Sequence, residues 1–207
     1  MLLAVVLVIG LLLLKDNLAR SFAEQQIRRN TGFDTKLGKV QIGLLEPRVT
    51  FENLTLYNPP EFGGSAFFDA PDIHVEYVPS QLALGRVHLK FVRLNLRELN
   101  IVETNGKTNL LELLRDIIPP SDTNSSTRSS RYTFTGIDLL NLSIGRIRYI
   151  DPRRPKRNQD IQLGLENHLV HNVRSEVDFA NILLKLLFRA GITIYVDDHL
   201  QSPRKKN

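Results

Sequence analysis

Five histidines, 22 acidic residues and no cysteine bound the chemistry open to this 207-residue chain. Without thiols there can be no disulfide, no thiolate zinc site, no iron–sulfur cluster and no cysteine nucleophile. His168 and His171 form an HxxH pair, which on a helix would set two imidazoles on one face, as a metal site needs. Their neighbours Asn167 and Asn172 and the surrounding strand-like pattern instead predict a loop, with no third ligand in view. Gly106-Lys107-Thr108 resembles the end of a phosphate-binding loop, but the glycine that motif needs five positions earlier is Ile101. A turn at the end of a strand accounts for it. Glu103 and Asp151 read as solvated acids closing strands, and Asp197-Asp198-His199 lies too near the end of the sequence to be held as a triad. The basic run Arg153-Arg154-Pro155-Lys156-Arg157 could meet lipid phosphates or RNA, yet reads first as a solvated hairpin turn. No catalytic residue, cofactor or metal site is expected, and the chain reads as a non-enzyme.

The elements around these residues are those of a folded chain. Hydrophobic residues make up 42% and charged residues 24%, close to globular averages, which excludes disordered and collagen-like classes. The balance of 27 Lys+Arg against 22 Asp+Glu leaves a net charge of +5. That suits an anionic membrane surface and falls short of the dense positive stripe of a DNA reader, so no nucleic-acid partner is expected. Residues 1–14 hold the run LLAVVLVIGLLLL, free of polar side chains. As a helix these thirteen residues extend about 20 Å, less than the roughly 30 Å of a bilayer core. No basic residue precedes the run and no small-x-small site follows it, so a retained anchor is expected, with Leu2, Val5, Val8, Leu11 and Leu14 in the hydrocarbon. The nearby cations Lys15, Arg20, Arg28 and Arg29 all follow the run; the positive-inside rule alone would put the body in the cytoplasm.

The pattern divides the rest into a β-rich module at 15–118, a Ser/Thr-rich linker at 119–131, a second β-rich segment with one helix at 132–200, and a basic tail at 201–207. An amphipathic helix ends near Asn30, with Gly32 as its C-cap. Period-two alternation then marks strands at Val40–Ile42, at Val49–Leu56 with a bulge at Asn53, at Ile73–Tyr77, and from Val87 to Ile101. Thr108 can cap a helix carrying Leu110, Leu111, Leu113 and Leu114, and Asp178 one carrying Phe179, Ile182, Leu183, Leu186 and Leu187. Clean alternation implies one wet face and one apolar face. The expected fold class is therefore α+β: a membrane helix, then a mostly antiparallel twisted sheet or β-groove with a few short helices. Phe51, Leu56, Val75, Leu89 and Phe91 stand at alternating positions of three strands, so many of them are expected to share the apolar face.

An ordered set of segments carries a resemblance. The set comprises the apolar run, the helix ending in Thr31-Gly32, Leu37-Gly38-Lys39-Val40-Gln41-Ile42, and Glu46-Pro47-Arg48-Val49-Thr50-Phe51-Glu52-Asn53-Leu54. Asn58-Pro59-Pro60-Glu61-Phe62, Ala70-Pro71, Gly85-Arg86 and the turn Asn105-Gly106-Lys107-Thr108-Asn109-Leu110 follow in order. The first 115 residues or so resemble the N-terminal region of AsmA-like proteins, the family of TamB-type and other bridge-like lipid-transfer relatives. Leu142–Asp151 is similar to a strand found further along such proteins. The resemblance implies a single-pass protein of the bacterial inner membrane, its body in the periplasm, with a part in lipid transport or outer-membrane maintenance. Its implied partners are membrane lipids and other envelope proteins. A chain of 207 residues is too short for a groove crossing an envelope, which leaves local lipid contact through the five named side chains. The alternative is an anchored scaffold, a protein-interaction module without lipid.

Overall fold

The computed structural model describes residues 16–43, 46–117 and 132–192. The expected anchor residues Leu2, Val5, Val8, Leu11 and Leu14, the linker at 119–131, Asp197-Asp198-His199 and the basic tail lie outside the described residues. No helix among the described residues is long and apolar enough to cross a membrane.

The chain folds as a mixed β-sheet with a few short helices. Helix α1 (Asp16–Thr31) leads into the short strands β1 (Asp34–Lys36) and β2 (Lys39–Ile42), which pair end to end along β3 (Arg48–Tyr57). Then come β4 (Ala66–Tyr77), the one-turn helix α2 (Pro79–Ala83) and the long β5 (Arg86–Thr104). A tight turn joins β5 to β6 (Lys107–Thr108), which runs into α2's larger counterpart α3 (Asn109–Ile117). Strands β7 (Thr133–Ile150) and β8 (Gln159–Val173) and helix α4 (Glu176–Arg189) complete it. The main path is β1-β3-β4-β5-β7-β8. Six of the seven strand pairings are antiparallel; β5 and β7 pair in parallel. Residues 132–173, expected as a second segment, thus extend the sheet that the first segment builds.

Rungs across the sheet show why the sequence alternates. Val49, Val75, Val92, Leu140 and Val170 stand opposite one another in successive strands, and so do Phe51, Ile73, Leu94 and Leu142. These rungs face the core. The intervening rung Thr50-His74-Arg93-Asn141 is polar, and its face carries cross-strand ion pairs such as Arg93–Asp72 at 2.8 Å and Arg97–Asp69 at 2.7 Å. Being solvated, each pair contributes at most about 1 kcal/mol. Burial of the apolar face dominates the fold.

That face changes phase along each of four strands, in a band across the middle of the sheet. Its inward residues step by three instead of two, from Phe51 to Leu54, Ala70 to Ile73, Leu96 to Leu99 and Ile144 to Ile147. The steps lie at matching or adjacent levels, and Asn53 takes a left-handed φ of 54° at the first of them. In β7 the step falls at Gly145, where a Cβ would stand 2.8 Å from the Arg97 carbonyl oxygen, so only glycine fits. Such irregularities raise local twist and bend strands.

The helix ends follow the sequence closely. Gly32, at φ 70°, ends α1 and donates to the Arg28 carbonyl. Asn105 and Gly106 both have positive φ, 56° and 78°, as a two-residue type I′ hairpin requires, which is what Gly106-Lys107-Thr108 is. Thr108 Oγ1 accepts from Leu111 N at the head of α3. Helix α4 is capped by Ser175, not Asp178: Ser175 Oγ accepts from Asp178 N, and the Asp178 carboxylate accepts from Arg174 N. Ser175 thus holds Asp178, and Asp178 in turn holds the residue before the cap.

Candidate functional site

Helices α3 and α4 both lie over the apolar face of the sheet, and between them and the strands is a cavity of about 170 Å³. Leu110 and Leu113 of α3 and Phe179, Leu183, Leu186 and Leu187 of α4 form its roof. Phe51, Leu54, Ile73, Val75, Leu89, Val92, Leu94, Ile137 and Ile144 are among the strand residues that form its floor. Every lining side chain is a hydrocarbon. Protein interiors leave few voids larger than a water molecule. At about 24 cal/mol per Å³, unfilled space of this size costs a core roughly 4 kcal/mol. A dry apolar cavity of about 150 Å³ in another protein binds benzene or xenon, so this one has room for a short piece of hydrocarbon chain.

Of the five side chains expected on this face, Phe51, Val75 and Leu89 line the cavity and are almost wholly buried. Leu56 is buried on the same face, beyond the cavity. Phe91 is not with them. Tyr77 pairs with Leu89 but Glu76 pairs with Phe91, so Lys90 is an extra residue in β5, a bulge that turns Phe91 to the polar face. There its ring stands 6.0 Å from that of His74, whose Nδ1 is 3.0 Å from Thr50 Oγ1. Residues missed in the sequence are those of α4 and the far strands. Their apolar character was plain, but only the β5–β7 pairing brings them over Phe51 and Val75.

No family model, curated protein or solved structure matches this chain.

The polar candidates fall elsewhere. His168 and His171 lie in strand β8, where the sequence predicted a loop. His168 stands opposite Leu142 of the apolar face, and His171 opposite Leu139 of the polar one. Among the described residues no group of three His, Asp or Glu is placed to hold a metal ion. Glu103 and Asp151, expected as solvated, instead build a closed network at the end of the β5–β7 pair. The Tyr149 hydroxyl donates to Glu103, Arg154 Nη2 reaches Glu103 Oε1 at 2.8 Å, and Arg154 Nε reaches Asp151 Oδ2 at 2.8 Å. Asp151, only 2% exposed, also accepts from the backbone amides of Arg153 and Arg154. Burial alone would raise its pKa; the hydrogen bonds from Arg154 and from the two amides outweigh it and hold the carboxyl below its ordinary value. Burial and the Glu103 carboxylate push the Tyr149 phenol up to about 12. Two of the four cations of the basic turn are thus spent inward: Arg154 on two carboxylates, and Arg157 Nη1 3.7 Å from Asp151.

A second polar network fixes α3. Asn109 is fully buried; its Oδ1 accepts from Val102 N at 3.0 Å and Leu110 N at 2.8 Å. Its Nδ2 donates to Asn58 Oδ1 at 2.7 Å and to the Asn100 carbonyl at 2.8 Å. Among the described residues, no side-chain hydrogen bond or ion pair ties α4 to a strand. Its contact with the sheet is made by apolar side chains.

Proposed function

We propose that this protein is a membrane-anchored envelope component of AsmA-like type that holds lipid acyl chain against the apolar face of its sheet. In this reading residues 2–14 are the anchor, the body lies in the periplasm, and the sheet is a shallow groove roofed by α3 and α4. The observation that carries the reading is the cavity, about 170 Å³ of space lined only by hydrocarbon. Each buried methylene of a guest contributes about 0.8 kcal/mol, so a few would offset the cost of that space. Phe51, Val75 and Leu89 would touch the chain, and Leu56 would pack behind them. Transport over distance is no part of the proposal; local lipid contact in support of outer-membrane maintenance is.

Native mass spectrometry of the full chain, extracted from membranes in mild detergent, tests the reading directly. Phospholipid should accompany the wild type and fall away in Leu89→Asp, while circular dichroism shows the sheet retained. A wild type without lipid, or a folded Leu89→Asp variant carrying lipid at the normal level, would sink it. The anchor is tested apart from this: the intact chain should stay in the membrane pellet after carbonate. A second reading, an anchored scaffold without lipid, draws on the same helices. If α3 and α4 are a permanent cover, Leu89→Asp leaves a desolvated carboxylate and unfolds the sheet.

A further inference from the structure

One end of the sheet carries two of the four large apolar side chains that stand exposed among the described residues; the other two, Leu169 and Phe188, lie further along β8 and α4. This end gathers the start of β3, the β4–β5 connection with α2, the start of β7 opposite Arg86, and the end of β8 opposite Ile137. Leu84, in the β4–β5 connection, is 70% exposed, and Val177, in the first turn of α4, is 47% exposed. The exposed cations Arg86, Lys90 and Arg174 flank them, and none is ion-paired among the described residues. The acids here are already committed. Glu46 holds Arg48 at 2.7 Å, Asp138 holds His88 at 2.9 Å, and Glu176 and Asp178 sit at the head of α4, where helix amides offset their charge.

Helix α1 points the same way. Arg28 pairs with Asp34 at 3.0 Å, and Glu24 accepts from Leu37 N at 2.9 Å, so α1 runs antiparallel to β1 and β2. Its Asp16 end therefore lies toward Ile42, which pairs with Val49 near the start of β3. The apolar run Leu2–Leu14 joins the body from this side. Leu89 and Ile137, both in the cavity wall, sit only a few residues in from the same end.

We propose that this end is a docking rim for an anionic phospholipid surface. Leu84 and Val177 enter the interface, and Arg86, Lys90 and Arg174 meet the headgroups. The proposal rests on the anchored, lipid-holding reading and adds an orientation to it: the end of the cavity wall formed by Leu89 and Ile137 lies toward the bilayer.

The chain has no cysteine, so one introduced thiol is unique. Leu84→Cys, Val177→Cys and, in the turn between β7 and β8 at the opposite end, Lys156→Cys would each be labelled with an environment-sensitive fluorophore. The full chain would then be reconstituted into phosphatidylglycerol/phosphatidylcholine vesicles bearing a lipid-linked quencher. Labels at 84 and 177 should be quenched several-fold more than the label at 156. That difference should shrink in pure phosphatidylcholine and with Arg86→Glu/Arg174→Glu. Equal quenching at all three sites, or none at 84 and 177 in chain that floats with vesicles, overturns the rim and leaves the anchor standing. Equal quenching in neutral vesicles overturns the anionic surface. A chain that fails to float overturns the anchored reading, and the rim with it.

Discussion

Helices α3 and α4 roof the same cavity from the same side of one sheet, yet they are held by different physics. Helix α3 grows out of a buried amide network in which Asn109 makes four hydrogen bonds, to Val102, Leu110, Asn58 and Asn100. Close by, Tyr149, Glu103, Arg154 and Asp151 clamp the ends of β5 and β7. Helix α4 has only a side-chain cap at its head and leucines beneath it. Hydrogen bonds demand one geometry, whereas apolar contact tolerates sliding and tilting at small cost. A polar network on one side and oil on the other give the cavity one wall held by directional bonds and one held by apolar contact.

The contrast breaks most completely at Asn109. Asn109→Ala strands the Val102 N–H, the Asn100 carbonyl and the Asn58 side-chain oxygen without partners in a buried place. The expected loss is about 3–5 kcal/mol, read as a shift in the urea midpoint of the whole sheet. A loss under 1 kcal/mol would mean that α3 is held by its leucines, like α4. Leu187→Ala is the matching change on the other helix. Leu187 is 3% exposed, so truncation should cost about 2–3 kcal/mol, toward the lower end for buried leucines because it borders space already present. Its effect should appear as faster exchange of α4 amides with little change in those of β5 and β7. If the whole sheet loses protection together, α4 is no separate unit. Even without mutation, α4 amides should open with a free energy about 1–2 kcal/mol below those of α3, measured by native-state hydrogen exchange.

The strands of this site were legible because burial on one face writes a period of two into the residues themselves. Val49 and Phe51, or Ile73 and Val75, declare their face locally, and Asn53 declares the phase step beside it. The Phe91 misplacement has an equally local cause with no local signal. The Lys90 bulge exists because Tyr77 and Glu76 of β4 pair on either side of it, and nothing in Leu89-Lys90-Phe91 distinguishes a bulge from plain alternation. The parallel pairing of β5 with β7 was invisible for a broader reason. It joins residues separated by a helix and by the stretch at 118–131, and no turn sets its register. Asn109 reads in the sequence as part of the turn that closes the first module; that it is the hub of a buried network depends on Asn58, fifty-one residues away. The cavity is the product of these long-range facts, so its strand residues and the two apolar helices that could cover them were legible, and which helix sits over which strand was not.

The smallest expected effect concerns the clamp beside α3 and is visible only in alkali. The Tyr149 phenol is pushed from 10 up to about 12, first by burial and then by its hydrogen bond to Glu103. A raised folded-state pKa means that the folded chain holds this proton more tightly than the unfolded chain. The stabilisation is therefore complete below pH 10 and is lost as pH rises from 10 toward 12. Tyr149→Phe should cost only about 0.5–1.5 kcal/mol at neutral pH, the net worth of one hydrogen bond. Over the alkaline window the variant should fall off less steeply than the wild type, so their urea midpoints converge and then cross before pH 12. Exchange of α3 amides should accelerate with the wild-type transition, while that of α4, which has no tie to this network among the described residues, stays level. Should α4 accelerate equally, the two walls of the cavity would be one cooperative unit, and the distinction between a wall held by directional bonds and one held by apolar contact would fail.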